Sequence, residues 1–130
     1  MISLLKIIDS LPFVEIKLEF KGREKLLKNV LVDTGSAGTI LKIDSVESIG
    51  IRAEDEDVIG TVSGVGGTEF VYIKTVDSLE LCGLKIENFK VDIGEMDYGY
   101  NFDGIIGMDF LTKIKSIIDL QNMKMSSDEN

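Results

Sequence analysis

Val30-Leu31-Val32-Asp33-Thr34-Gly35-Ser36-Ala37-Gly38-Thr39 carries an apolar strand straight into a loop of one Asp, three hydroxyl residues and two glycines. Gly35 permits a tight turn there and brings backbone N–H groups to the Asp33 carboxylate with no Cβ in the way. Thr34 and Ser36 add short hydroxyls that either lock the loop or hydrogen-bond a carboxylate oxygen. Such a loop presents a carboxylate in a fixed position. The tripeptide Asp33-Thr34-Gly35 equally suits an Asx-type turn with no chemistry attached, and these residues alone leave both readings open.

Upstream, Phe13-Val14-Glu15-Ile16-Lys17-Leu18-Glu19-Phe20 alternates apolar and charged residues, the pattern of a half-buried strand. Lys21-Gly22 supplies a turn, and Leu26 to Val32 runs back as an antiparallel partner that delivers the chain to Asp33. Downstream, Ile40 to Ile43 is a short apolar segment. Asp44, followed three residues later by Glu47, resembles a helix capping box, with Gly50 ending a helix of little more than a turn.

Glu54-Asp55-Glu56-Asp57 reads as a solvated loop. Val58 to Ile73 is a hairpin with Ser63-Gly64-Val65-Gly66-Gly67 at its tip, free to adopt positive φ. No Lys-Ser/Thr follows these glycines, which argues against a phosphate cradle. Ser78 to Gly83 and Leu84 to Ile93 read as two further strands, with Cys82 as a small core residue. Gly94 to Phe102 is a polar loop whose tyrosines cap the core edge. Phe102-Asp103-Gly104-Ile105-Ile106-Gly107-Met108-Asp109-Phe110-Leu111 leads into a short helix from Asp109 to about Lys115 and a last strand at Ile117 to Leu120. Residues 125–130 read as a frayed polar tail.

Turn signals about every 8 to 12 residues along mostly strand-forming segments predict an all-β barrel or sandwich. The 130 residues suit a single domain over 1–130, and such a chain buries roughly two-thirds of its unfolded surface without a staple. The sequence contains no His, which removes Ser-His-Asp and Cys-His catalysis and imidazole metal sites together. With only one Cys there is neither an intrachain disulfide nor a thiolate metal set, so no metal and no cofactor are expected, and a reducing, cytoplasmic location fits. A formal net charge of −9 argues against nucleic acid as a partner. No apolar run approaches the roughly 18 residues of a membrane span, so no membrane partner is expected either.

Three pieces in this order resemble the retropepsin-type aspartic peptidases, the family of retroviral proteases and their cellular and bacterial relatives. They are Val30 to Ser36, the glycine-rich tip Gly64-Val65-Gly66-Gly67, and Asp103 to Leu111. The resemblance covers roughly residues 12 to 122. It implies an acid-protease fold: a closed β-barrel with a flap hairpin, a ψ-shaped loop and one or two short helices.

The resemblance also implies acid–base hydrolysis of peptides by a water held between two carboxylates that share one proton. Asp33, Thr34 and Gly35 become the catalytic residues, and Ser36, Ala37, Gly64, Val65, Gly66, Gly67 and Ile105 the substrate-binding ones. Ala37, Val65 and Ile105 suit pocket walls or core equally well. This mechanism needs two Asp, and the chain has one Asp-Thr-Gly. Asp44, Asp77 and Asp103 are not followed by a hydroxyl residue and Gly. A C₂ homodimer follows, with Asp33 of each chain meeting on the axis; the resemblance further implies that Thr34 grips the opposing loop and that the substrate is a peptide or protein. The apolar stretches Ile2 to Ile8 and Ile117 to Leu120 pair either between two chains or within one. Ser36 stands where many retroviral members have Ala. As a donor to the ionised Asp it would extend activity to more acidic pH. A non-catalytic dimerisation or peptide-binding module on the same fold is the competing class.

Overall fold

The computed structural model describes residues 1–64, 67–99 and 101–127. The chain runs through β1 (Ile2–Leu4), β2 (Lys6–Ile8), β3 (Leu11–Phe20), β4 (Arg23–Val32), β5 (Ile40–Lys42), α1 (Ile43–Val46) and a 3₁₀ turn (Glu47–Ile49). There follow β6 (Ile59–Gly64), β7 (Gly67–Leu81), β8 (Leu84–Gly94), β9 (Gly104–Ile106), α2 (Met108–Lys113), β10 (Ser116–Asp119) and β11 (Lys124–Ser127). The expected all-β architecture is present.

Its main sheet has the order β2-β3-β4-β9-β5-β8-β7-β6, and a further pairing of β3 with β7 closes a ring of hydrogen-bonded strands. The β3–β4 and β7–β8 hairpins are the expected ones. Lys21 and Gly22 both have positive φ (49° and 80°), as do Cys82 and Gly83 (55° and 75°). That is the two-residue geometry whose twist matches antiparallel strands. Cys82 is buried in its turn, as expected. Ser78 to Leu81 is the far end of a single strand of 15 residues that begins in the flap hairpin.

The strands that carry the site cross one another. β9 lies between β4, to which it is parallel (Leu31 opposite Ile105), and β5, to which it is antiparallel (Ile40 opposite Ile105). This is the ψ-shaped arrangement, with the 33–39 loop bridging the two strands that flank β9. Alternate residues of these strands serve two clusters. Val30, Val32, Leu41 and Ile106 enter the main core around Leu18, Leu79, Phe89 and Phe110. Leu31, Ile40 and Ile105 join a smaller cluster with Phe13, Val71, Met96, Phe102 and the flap residue Val62.

Three expectations need correction, and one open alternative is decided within the chain. Met125, read as part of a frayed tail, is fully buried, because β11 pairs with β1 on one side and β10 on the other; residues 128–130 lie outside the described residues. Of the terminal stretches, which the sequence leaves open between one chain and two, β1 and β10 pair with β11 in a three-stranded sheet of this chain and β2 pairs with β3. The Asp44 capping box does not form. Lys42 is the N-cap of α1 without a side-chain cap, and Asp44 sits inside the first turn, while Gly50 (φ 90°) does end the 3₁₀ turn. The acidic run is not simply solvated either. Glu54 and Asp57 both bind Lys74 of β7, at 2.6 and 2.9 Å, and so neutralise a buried ammonium group that would otherwise be prohibitive.

Among the described residues, no helix is long and apolar enough to cross a membrane.

Candidate active site

Asp33 continues β4 by one step: its N–H donates to the Ile106 carbonyl at 3.0 Å. The chain then turns, with the Ser36 N–H donating to the Asp33 carbonyl at 3.1 Å. The Gly35 N–H donates to Asp33 Oδ1 at 2.9 Å. The Asx-type turn and the fixed carboxylate, alternatives from sequence, are thus one structure. A Cβ on residue 35 would stand 3.2 Å from Asp33 Oδ1, closer than most real contacts, so glycine keeps this oxygen accessible to its amide. Among the described residues this is the carboxylate's hydrogen bond, which leaves Oδ2 for water, substrate or another chain.

Thr34, Gly35 and Ala37 are exposed, and Asp33 and Ser36 are half-buried. The Ser36 hydroxyl does not reach the carboxylate. It donates to the Gly38 carbonyl at 2.7 Å and ties the loop to itself, which removes the basis for expecting a Ser36-dependent extension to acidic pH.

The loop is fastened from behind by contacts that the sequence does not reveal. Met108 and Asp109 donate their N–H groups to the Ser36 and Ala37 carbonyls at 2.8 and 3.1 Å. The Asp109 carboxylate accepts from the Thr39 hydroxyl (2.8 Å) and the Thr39 N–H (3.2 Å), and Thr39 Oγ1 accepts from the Gly107 N–H (3.2 Å). A Cβ at residue 107 would lie 2.2 Å from the Gly38 oxygen, so only glycine lets α2 approach this closely. The resemblance points to the segment Asp103 to Leu111; Thr39 and Asp109, 70 positions apart, carry no local signal of their pairing.

The other acidic candidates are occupied elsewhere. Asp103 accepts from the Asn29 N–H (3.0 Å) and the Ser45 hydroxyl (2.8 Å) and so braces β4 against α1. Asp77 accepts from the Gly22 N–H in the β3–β4 turn at 3.1 Å.

Over the smaller apolar cluster stands the β6–β7 hairpin, paired from Ile59 opposite Tyr72 to Gly64 opposite Gly67. Gly67 has φ 121°, a conformation that only glycine adopts freely. Val65 and Gly66, assigned to the tip, lie outside the described residues. Ile105 is half-buried and, like Val62 of the hairpin, packs against the cluster of Phe13, Ile40, Val71, Met96 and Phe102.

The β7 arm of the flap is anchored through Glu69, which stands opposite Val62 and accepts from the Met96 N–H at 2.8 Å and from the Tyr98 hydroxyl. Burial, with Glu69 as neighbour, pushes the Tyr98 phenol up to about 12. Tyr98 also packs on Phe102, as expected of a residue capping the core edge; Tyr100 lies outside the described residues. Among the described residues no cluster of His, Cys, Asp and Glu has the form of a metal site.

The amino-acid sequence matches a family model described as aspartyl protease over residues 16–110, from β3 into α2. No curated protein matches it. That span includes the carboxylate loop, the flap hairpin and β9 wedged between β4 and β5, and by this match the chain belongs to the retropepsin-like aspartyl protease family.

Proposed function

We propose that the protein is an aspartic endopeptidase whose active centre forms when Asp33 loops from two copies of the chain meet on a two-fold axis. The observation that carries this reading is the Asp33 carboxylate itself, held by one amide through Oδ1 at the surface end of β4, with its loop braced by α2. One such loop supplies half of what peptide hydrolysis by this chemistry requires.

Two Asp33 carboxylates brought together cannot both ionise, so they share a proton and bracket a water. The charged member takes a proton from the water as it attacks the scissile carbonyl, while the protonated member hydrogen-bonds the carbonyl oxygen. In this reading Thr34 grips the opposing loop, which its exposure beside Asp33 supports. The peptide lies extended between the row Leu31–Ile105–Ile40 and the flap, with Gly64 and Gly67 at the paired end of the hairpin above it and Ser36 and Ala37 beside it. Support for a second copy also comes from β10. It is an edge strand of the terminal sheet, and its Ile117 and the following Leu120 are exposed.

The test is cleavage of a diverse peptide pool over pH 4 to 7, with and without pepstatin, by the native chain and by Asp33→Asn, alongside size-exclusion chromatography of both. Cleavage lost in Asp33→Asn, with the dimer retained, supports the proposal. Proteolysis that survives the substitution contradicts it, and a dimer that binds peptides without cutting them returns the protein to the non-catalytic class.

A further inference from the structure

Five residues form one row across the sheet floor. Leu31 on β4 is opposite Ile105 on β9, Ile105 is opposite Ile40 on β5, Ile40 is opposite Asp92 on β8, and Asp92 is opposite Ile73 on β7. Directly paired residues point to the same face of a sheet. The row starts two residues before Asp33 on the same face of β4 and ends at Ile73, whose Cδ1 approaches the Gly60 position of the flap strand. Four of its members are aliphatic and one is a carboxylate.

Asp92 has no evident structural employment. Its backbone N–H donates to the Thr39 carbonyl at 3.0 Å. Among the described residues its side chain makes neither a hydrogen bond nor an ion pair. Asp109 on α2 is a like charge near it, and among the described residues neither Lys90, two residues earlier on β8, nor Lys42, two residues past Ile40 on β5, forms an ion pair with it. Oδ2 lies 3.8 Å from where a Cβ on Gly38 would be, so the carboxylate looks onto the Asp33 loop across a position kept bare by glycine. A half-buried, unpaired carboxylate among aliphatic side chains is costly unless something pairs with it. In agreement, burial, reinforced by the Asp109 charge, raises the Asp92 carboxyl above its ordinary value.

Resting on the endopeptidase reading, we infer that Asp92 is a specificity-determining residue that receives a Lys or Arg side chain of the peptide substrate. Half-buried Ile73 flanks the aliphatic stem, with Ile40, buried in the small cluster, beneath it, and the carboxylate takes the cationic head, the division of labour that long basic side chains suit. The two-fold axis supplies one such position on each side of the scissile bond.

The experiment compares kcat/KM for position-scanned peptides carrying Lys or Arg against norleucine at the same place, for the native chain, Asp92→Asn and Asp92→Leu. Kd values for the same peptides are measured on Asp33→Asn. A native preference for the basic peptides that falls roughly 10- to 100-fold in Asp92→Asn, with norleucine peptides nearly unaffected, supports the assignment. Because Asp92→Asn is nearly isosteric and Asp92→Leu matches the surrounding row, thermal melts identify any variant that fails to fold, and the native Lys-to-norleucine ratio remains a test without them. Cleavage or binding with no basic preference, or a preference unchanged in both variants, overturns this inference alone. Peptides that are neither cut nor bound overturn it together with the endopeptidase reading.

Discussion

On β9, Ile106 is fully buried in the main core, while Ile105, one residue earlier, is only half-covered beneath the flap. The same division runs along β4 and β5, where Val32 and Leu41 face inward and Leu31 and Ile40 face the floor under the hairpin. Both faces are aliphatic, so composition does not distinguish them. What distinguishes them is their cover. Other strands and α2 seal the inner face, whereas a hairpin joined through a glycine-rich tip stands over the outer one, which also carries Asp92 and runs into Asp33. The inner face is buried throughout, whereas on the outer one Leu31, Ile105 and Asp92 stay half-covered while Ile40 is buried with Phe13, Val71, Met96 and Phe102.

The largest effect should come from the one residue at the end of that outer face. Asp33→Asn is expected to lower kcat/KM by roughly 10²- to 10⁴-fold, the range lost with a general acid–base group, while its urea midpoint stays near that of the native chain. Next comes the adjacent pair. Ile106→Ala should cost about 2–5 kcal/mol, as for other fully buried aliphatic truncations. Ile105→Ala should cost under about 1.5 kcal/mol yet change the pattern of peptides cleaved. Equal stability losses in urea unfolding, with cleavage pattern unchanged, would break the two-face description.

Gly107→Ala forces a Cβ against the Gly38 and Ser36 carbonyls. It should destabilise by about 1–3 kcal/mol, as overpacking does, and depress activity beyond the loss of folded protein, because the displaced carbonyls belong to the Asp33 loop.

The smallest effect concerns the edge of the inner face. Hydrogen bonds from Lys74 hold Glu54 and Asp57 below their ordinary carboxyl values. Burial pulls Lys74 down, but its two carboxylate partners outweigh this and leave it raised. The carboxylates therefore contribute stability above their ordinary values of 4.5 and 3.8, and lose it as pH falls through the lowered ones. Lys74→Met should accordingly be less stable than the native chain at pH 7, with the gap closing in strongly acidic solution. Thermal melts over pH 2 to 7 follow the difference, and a gap independent of pH would contradict the assignment.

How much of this was legible beforehand depended on range in the sequence. The β3–β4 hairpin was readable because Val14, Ile16 and Leu18 alternate with charges and Lys21-Gly22 supplies the turn. The Asp33 loop and the flap were readable because glycine and hydroxyl residues cluster locally. β11 was missed because Lys124-Met125-Ser126-Ser127 has one apolar residue, and its burial comes from β1 at the other end of the chain. The Lys74 anchor and the Thr39–Asp109 brace join residues far apart, and no local periodicity encodes such pairings. Asp92 looked like one more polar position on an alternating strand. Its place beside Ile40 depends on the register of β5 against β8, which only the assembled sheet sets.

The central claim is that each chain supplies half of one catalytic centre, and subunit mixing tests it most directly. A fixed amount of native chain is equilibrated with a ninefold excess of Asp33→Asn and its peptidase activity measured. If the centre needs Asp33 from both chains, activity falls to about one-tenth, the fraction of native chains that find a native partner in a randomly mixed two-fold dimer. Activity unchanged by the excess would mean that each chain cuts on its own, and would contradict the account.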